Sequence, residues 1–404
     1  MPTWEIITGF AEGQGSGNNV AIKAISGDLD TSSVANEARM QAKVYASYTW
    51  ANLYVRCTAF VAPVNPTVRS RIGAVDGTLV VTATGTGVFQ DTTDSDALVD
   101  QNLIDYEVDN SGGGGTKTLS LIGSTLADTS TNITIAISKG PEGGSVAFGL
   151  TRFAVIAGQL KSPAGTFNAT ESQVQYTLRR NATYSNLRWL LYSNGMDANT
   201  TWRTRVDAVD GSQLLTVSGG ATGAFEDTTN SDVVTAGSEV NYEVDTTAST
   251  LGTLFSTLSQ MRHTSTGREM AAAASSPVAV TVDQYLVAEG SLSDSVTETD
   301  AQIAARAAFT TKNLMVNITA HGATASDFFL RQNTANSALT VNIPSSSTGF
   351  FEDTTNQVPI ALTDDYNYFL DVGGSITSAI VGMEQGLGGS RRRVGYGAGR
   401  AIHL

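Results

Sequence analysis

Apolar and polar residues alternate along most of this chain, the period expected of half-buried β-strands. The clearest stretch sets Val174, Tyr176 and Leu178 against Gln173, Gln175 and Thr177, and Leu187, Trp189 and Leu191 resume the period after a turn-rich Asn181–Asn186. This predicts a hairpin. Trp202, Thr204 and Val206 then lead through Asp210-Gly211 to Leu214-Leu215-Thr216-Val217, and Asp76-Gly77 stands at the matching place upstream. Asp-Gly between two such runs predicts a hairpin turn at those residues. Thr118-Leu119-Ser120-Leu121-Ile122 reads as one more strand. Two segments conflict with the pattern. Residues 298–309 have helical propensity but align with a strand-like stretch, which predicts a strand, and the Ala-rich segment 269–274 suggests a short helix.

The same pattern recurs three times. Gly87-Val88-Phe89-Gln90-Asp91-Thr92-Thr93-Asp94 is matched by Gly223-Ala224-Phe225-Glu226-Asp227-Thr228-Thr229-Asn230 and by Gly349-Phe350-Phe351-Glu352-Asp353-Thr354-Thr355-Asn356. A Tyr follows each motif Asp by 15 residues (Tyr106, Tyr242, Tyr368) and an Asp follows by 18 (Asp109, Asp245, Asp371). Upstream, Asn-Leu pairs (Asn52-Leu53, Asn186-Leu187, Asn313-Leu314) are preceded at fixed spacing by Glu37, Glu171 and Glu298, each with a Gln four residues later (Gln41, Gln175, Gln302). Fixed spacing over about 70 residues marks an internal repeat. An apolar run ending in Gly opens each copy, at Gly27, Gly158 and Gly290, and a weaker fourth, Gly397-Ala398-Gly399-Arg400-Ala401, predicts a C-terminal closing strand.

Each repeat holds about eight strands at 8–15-residue spacing, which predicts an all-β chain of three tandem antiparallel β-sandwiches of jelly-roll type. The expected domains are residues 1–157, 158–289 and 290–404. The Gly-x-Phe-x-Asp-Thr-Thr element reads as a turn in which Gly permits positive φ, Phe fills the core, and the Asp carboxylate takes local backbone N–H groups.

Composition narrows the function. Hydrophobic residues make up 41% and charged residues 15%, and the net charge is -14, with 18 Arg and 6 Lys among the basic residues. Such a surface repels nucleic acid and anionic membrane, so neither is an expected partner. The exception is the basic end, Arg391, Arg392, Arg393 and Arg400, which suits docking on an acidic partner. Cys57 stands alone and is expected to be buried, and the Asn-x-Ser/Thr sequons are those a chain of this composition contains by chance. The N-terminus has no secretory pattern, which predicts synthesis in the cytoplasm.

No cofactor or catalytic motif is found. Asp91, Asp94 and Asp96, or Asp227, Asn230 and Asp232, place oxygens within six residues and invite a calcium reading, but the spacing is not that of a helical calcium loop and Val358 breaks the third copy. Asp109, Asp245 and Asp371 would each need a second acid to form a glycosidase pair. Their presence in every copy argues for structure. His263, His321 and His403 occupy unrelated positions. Phe89, Asp91, Tyr106, Phe225, Asp227, Tyr242, Phe351, Asp353 and Tyr368 are therefore assigned to a structural motif, not to an active site.

The Gly-x-Phe-x-Asp-Thr-Thr-Asn element, the Asn-Leu strand before it and the Tyr-Glu-Val-Asp strand after it resemble modules of tailed-phage virion structural proteins of the decoration, fibre or spike type. The resemblance implies a non-enzymatic protein located in the virion, with capsid, fibre or tail components as partners and possible self-association as a trimer; three modules in one chain could instead arrange around a pseudo-threefold and replace a homotrimer, or string out linearly and trimerise. The alternative is an adhesin-like array that binds carbohydrate or a receptor, with Trp50, Trp189 or Trp202 stacking on sugars.

Overall fold

The computed structural model describes residues 3–8, 20–25, 37–61, 64–111, 116–128, 133–159, 167–265, 267–288, 290–291 and 294–386. They form three jelly rolls. In the first repeat one sheet runs Thr3–Thr8, Thr116–Asp128, Tyr48–Val61, Gly87–Leu98, and the other runs Val20–Lys23, Leu103–Asp109, Thr67–Ile72, Val75–Thr82. With eight principal strands counted in chain order, these sheets are 1-8-3-6 and 2-7-4-5, the double Greek key of the jelly roll. The second and third repeats keep both orders: Ile133–Ala147, Thr253–Thr264, Ala182–Asn194 and Gly223–Val234 form the first sheet of repeat two, and Gly267–Val280, Ile376–Gly386, Phe309–His321 and Gly349–Ile360 that of repeat three.

The pairings move the boundaries. Ile133–Ala147 pairs antiparallel with Thr253–Thr264, and Gly267–Val280 with Ile376–Gly386, so both strands open the repeat that follows them. The changeovers lie between Asp128 and Ile133 and between Thr264 and Gly267, upstream of the expected 157/158 and 289/290. The runs ending at Gly158 and Gly290 sit past the first strand of their repeats, and Gly27 lies outside the described residues. Gly158, at φ +103°, begins a two-residue strand running parallel between Ile133–Ala147 and Gly267–Val280, and Gly290-Ser291 lies parallel to Ala272-Ala273. The fourth run, 397–401, and the Arg391–Arg393 and Arg400 group lie outside the described residues.

Four local expectations are corrected. Ala182–Asn194 is one continuous strand, so the hairpin expected across Asn181–Asn186 does not form. Of residues 173–178, only Tyr176-Thr177 is strand, and it pairs with Glu239–Asp245. The Ala-rich segment 269–274 is strand, because pairing with Ile376–Gly386 overrides the helical preference of alanine. Residues 298–309 divide: Glu298–Ala301 is one helical turn, matching 3-10 turns at Glu37–Arg39 and Glu171–Gln173, and Ile303-Ala304 is strand.

The Asp-Gly hairpins exist, but their turns lie three residues earlier. Gly73-Ala74, Asp207-Ala208 and Asn333-Thr334 all take positive φ at both positions, the geometry of a two-residue hairpin loop that matches strand twist. Asp76-Gly77 and Asp210-Gly211 lie inside the next strand, where a Cβ on Gly77 would fall 2.2 Å from Ser70 Oγ. These glycines serve close packing.

Each sandwich encloses its own aromatic core. Tyr106, Tyr242 and Tyr368 are fully buried, and Trp50, Trp189 and Trp202 are buried to within 1%. Trp189 stacks on Trp202 with ring centroids 4.7 Å apart, and Tyr242 lies 5.0 Å from Trp202. Cys57 is buried as well.

Candidate functional site

The repeated acidic motif is a strand-edge device. In the first repeat Ala51 opposes Ser95 and Leu53 opposes Asp91, so Thr92, Thr93 and Asp94 bulge out opposite the single residue Asn52. Asn52, Asn186 and Asn313 all adopt φ near +55°, which Asn tolerates better than other residues carrying a side chain. That is why the Asn-Leu pair recurs. The Asp91 carboxylate then collects the N–H groups that the bulge frees: Thr93 N and Asp94 N donate to Oδ1 at 3.1 Å each. Its Oδ2 accepts from Val80 N at 3.1 Å, across to the edge strand of the other sheet.

Asp227 repeats every contact, taking Thr229 N, Asn230 N and Leu214 N. Asp353 takes Thr355 N, Asn356 N and Thr340 N. Burial opposes ionisation of these acids, but the converging N–H donors outweigh it and hold Asp227 and Asp353 down to about 2. Asp96 and Asp232 bind the same edge strand through Thr78 N at 2.7 Å and Ser212 N at 2.6 Å. The oxygens of the calcium candidates Asp91, Asp96, Asp227 and Asp232 thus face donors, the wrong partners for a cation. Asn230 lends its amide Nδ2 to Asp227 at 2.9 Å. Among the described residues no group of three or more His, Cys, Asp or Glu side chains is placed to hold a metal ion.

Phe89, Phe225 and Phe351 pack at the margin of the cores and are only partly buried, where the sequence pattern had placed them inside. Asp109 and Asp245 cap the ends of their strands, accepting from Ser111 N at 2.7 Å and Thr247 N at 2.8 Å. Burial, with Asp283 and Asp327 nearby, pushes the Asp371 carboxyl up. His263 is buried against Tyr184, while His321 contacts Pro344 O and Ser326 Oγ; His403 lies outside the described residues. Burial of Trp50, Trp189 and Trp202 removes the three aromatics expected to stack on a sugar.

The recurring Glu forms a clamp. Glu37 takes Arg71 through Nε at 3.2 Å and Nη2 at 2.9 Å, Glu171 takes Arg205 at 2.8 and 3.2 Å, and Glu298 takes Arg331 in the same fork. Each Arg also donates to a carbonyl of the positive-φ turn, at Ala74, Ala208 and Thr334. The fork holds the helical turn against the hairpin.

Of the two arrangements open to three modules, a pseudo-threefold and a linear string, the contacts between repeats make the first and close a ring. Segment 41–45 of repeat one docks on repeat two: Arg188 Nη1 donates to Gln41 O at 3.0 Å, Lys43 pairs with Glu226 at 2.7 Å, and Tyr45 Oη donates to Asn186 O at 3.0 Å. The equivalent segment of repeat two docks on repeat three, with Arg179 paired to Glu352 at 2.8 Å and within 3.3 Å of Met315 Sδ. Repeat three docks back on repeat one, with Arg306 over the Tyr54 ring at 4.8 Å and hydrogen-bonded to Gln90. The cores follow the same cycle. Leu190 and Leu258 of repeat two join the core of repeat one, Tyr54 and Leu121 of repeat one join that of repeat three, and Met315 and Ile380 of repeat three join that of repeat two.

No family model matches the chain, and no curated protein matches it. Among solved structures, one described as the triple jelly roll fold and turret assembly in an archaeal virus aligns over 95% of this chain and 91% of that one, at 11% identity and a TM-score of 0.21. Another, from the atomic structure of Sulfolobus Turreted Icosahedral Virus, aligns over 85% and 81%, at 10% identity and a TM-score of 0.18. Strand pairing, not these scores, establishes the fold of this chain. Among the described residues no helix is long and apolar enough to cross a membrane.

Proposed function

We propose that this chain is a non-enzymatic structural protein of a bacteriophage virion, decorating the capsid or forming part of a fibre or spike through protein–protein contacts. The observation that carries the reading is the ring: three jelly rolls in one chain dock head to tail, the third back onto the first, as three subunits of a cyclic oligomer would. The recurring polar residues support it. The motif Asp residues, the Glu–Arg forks and the Asn bulges are spent on holding edge strands and hairpins, which suits a particle component that must stay folded and avoid edge-to-edge pairing at high local concentration. Antibody raised against the chain and imaged on purified particles in negative stain is expected to label them. Unlabelled particles would refute the proposal.

Docking is assigned to the basic end, Arg391, Arg392, Arg393 and Arg400, whose charge opposes that of the body. A chain ending at Ser390 is expected to cosediment less with its particle than the full chain does. Equal cosedimentation removes that assignment and leaves the ring unaffected. The adhesin-like alternative keeps no support from the three buried tryptophans.

A further inference from the structure

The three junctions of the ring use equivalent positions but are finished in three ways. The third residue after the recurring Asn-Leu leucine is Arg56, Leu190 or Asn317. The equivalent positions in the repeat on the other side of each junction are the second residue after the recurring Glu, which is Asp300, Arg39 or Gln173, and the third residue before the recurring Tyr, which is Asp365, Leu103 or Glu239.

Where repeat three meets repeat one, the position is filled by a cation. Arg56 Nη2 donates to Gln302 O at 2.9 Å, and the guanidinium lies in the field of Asp365 and Asp300. Where repeat one meets repeat two, the position is filled by apolar and stacked groups: Leu190 is buried in the neighbouring core, and the Arg39 guanidinium lies over the Tyr192 ring at 4.9 Å. Where repeat two meets repeat three, Asn317 is too short to fill it. A cavity of about 280 Å³ remains, bounded by Gln173, Glu239, Asn317, Thr319, Thr348 and Phe350.

The wall of this cavity keeps the acid and lacks the cation. Glu239 stands where Asp365 stands at the filled junction, and among the described residues no Lys, Arg or His pairs with it. The charged groups that reach it, Asp207 and Glu171, are both negative. Asn317 is 3% exposed and offers its Nδ2 only to Ser172 O, at 3.4 Å. Phe350 adds an aromatic side chain to the rim, a surface that attracts cations.

We propose that the cavity between repeats two and three binds a guanidinium group, held by Glu239, Gln173 and Asn317 in the place that Arg56 fills at the third junction. This goes beyond the virion reading and does not depend on it. The guanidinium comes either from a free compound or from Arg391–Arg393 of the chain itself.

Calorimetric titration at low salt with N-acetylarginine amide, and with its neutral citrulline counterpart as control, tests it on the full chain and on a chain ending at Ser390. Binding of the arginine probe to both chains identifies a free ligand, and binding only to the shortened chain identifies the tail as resident. In either case Glu239→Gln is expected to weaken binding roughly tenfold or more, because a charge-assisted pair is lost. Asn317→Arg, which places the missing guanidinium within the chain, is expected to abolish it. If the citrulline probe binds as well, if Glu239→Gln binds unchanged, or if neither chain takes up the arginine probe, the proposal fails.

Discussion

Asp105 is the residue whose replacement should strengthen this protein. It is fully buried in the first repeat, one residue before Tyr106, where neither carboxylate oxygen makes a well-formed hydrogen bond and its polar neighbours are the Glu37 carboxyl and the Gln41 amide. Burial, reinforced by the Glu37 carboxylate, pushes its acid up to about 9, with Arg71 countering only in part. The other repeats carry an amide at the same place: Asn241 Nδ2 donates to Tyr242 O at 3.1 Å, and Asn367 Nδ2 to Tyr368 O at 2.9 Å. Asp105 therefore sits in a site built for a neutral side chain. The folded chain holds its proton until about pH 9, whereas the unfolded chain releases it near 3.9. Between those values the folded state carries one proton more, so its stability falls by about 1.4 kcal/mol for each unit of rising pH. At pH 7 the accumulated cost approaches about 4 kcal/mol as an upper bound. Asp105→Asn removes that cost and supplies the missing donor. Urea unfolding of both proteins at pH 5, 7 and 9 should show the variant's advantage growing with pH, since every other titrating group is common to the two. Parallel stability curves over that range would refute the reasoning.

Gly211→Ala puts a Cβ 2.3 Å from Thr204 Oγ1 and 2.8 Å from Asp232 Oδ2, and should cost about 1–3 kcal/mol by overpacking. An unchanged urea midpoint would mean that Asp-Gly is only a local turn signal. Asp227→Asn should cost about 1–3 kcal/mol through its lost charge-assisted hydrogen bonds. Because the folded acid titrates near 2, its contribution is complete above the unfolded value near 3.9 and lost as pH falls through 2, so acid unfolding of the variant should be shallower between pH 4 and 2. An identical acid limb would count against the motif as an edge clamp. Since the ring closes within one chain, light scattering should return a single-chain mass of 42.2 kDa; a trimer mass would show that the threefold is built between chains as well.

The jelly rolls were legible because each repeat restates the local rules of the fold at fixed spacing. The clearest case is the bulge, where a left-handed Asn52 faces the bulged Thr92–Asp94 and Asp91 collects the N–H groups they free, so both residues recur together. Spacing misled where one residue type serves two purposes. Gly77 reads as a turn former, yet it is small because Ser70 and Asp96 press on it, while the turn itself is made by Gly73-Ala74, whose counterparts Asp207-Ala208 and Asn333-Thr334 share its backbone but not its glycine. Local composition misled at 269–274, where the partner strand decides the backbone and lies a hundred residues away. A closed threefold was one of two arrangements open to three modules, but the contacts that make it were hidden for a deeper reason. Aligning repeats against one another rewards what is the same, whereas a junction inside a single chain is free to differ at each corner, and it does so at Arg56, Leu190 and Asn317. In a homotrimer those three positions would be one residue, and every junction would be filled or empty alike. Fusing three copies into one chain removes that constraint, which is how two corners can be closed by the protein's own side chains while the third keeps an acid without its cation.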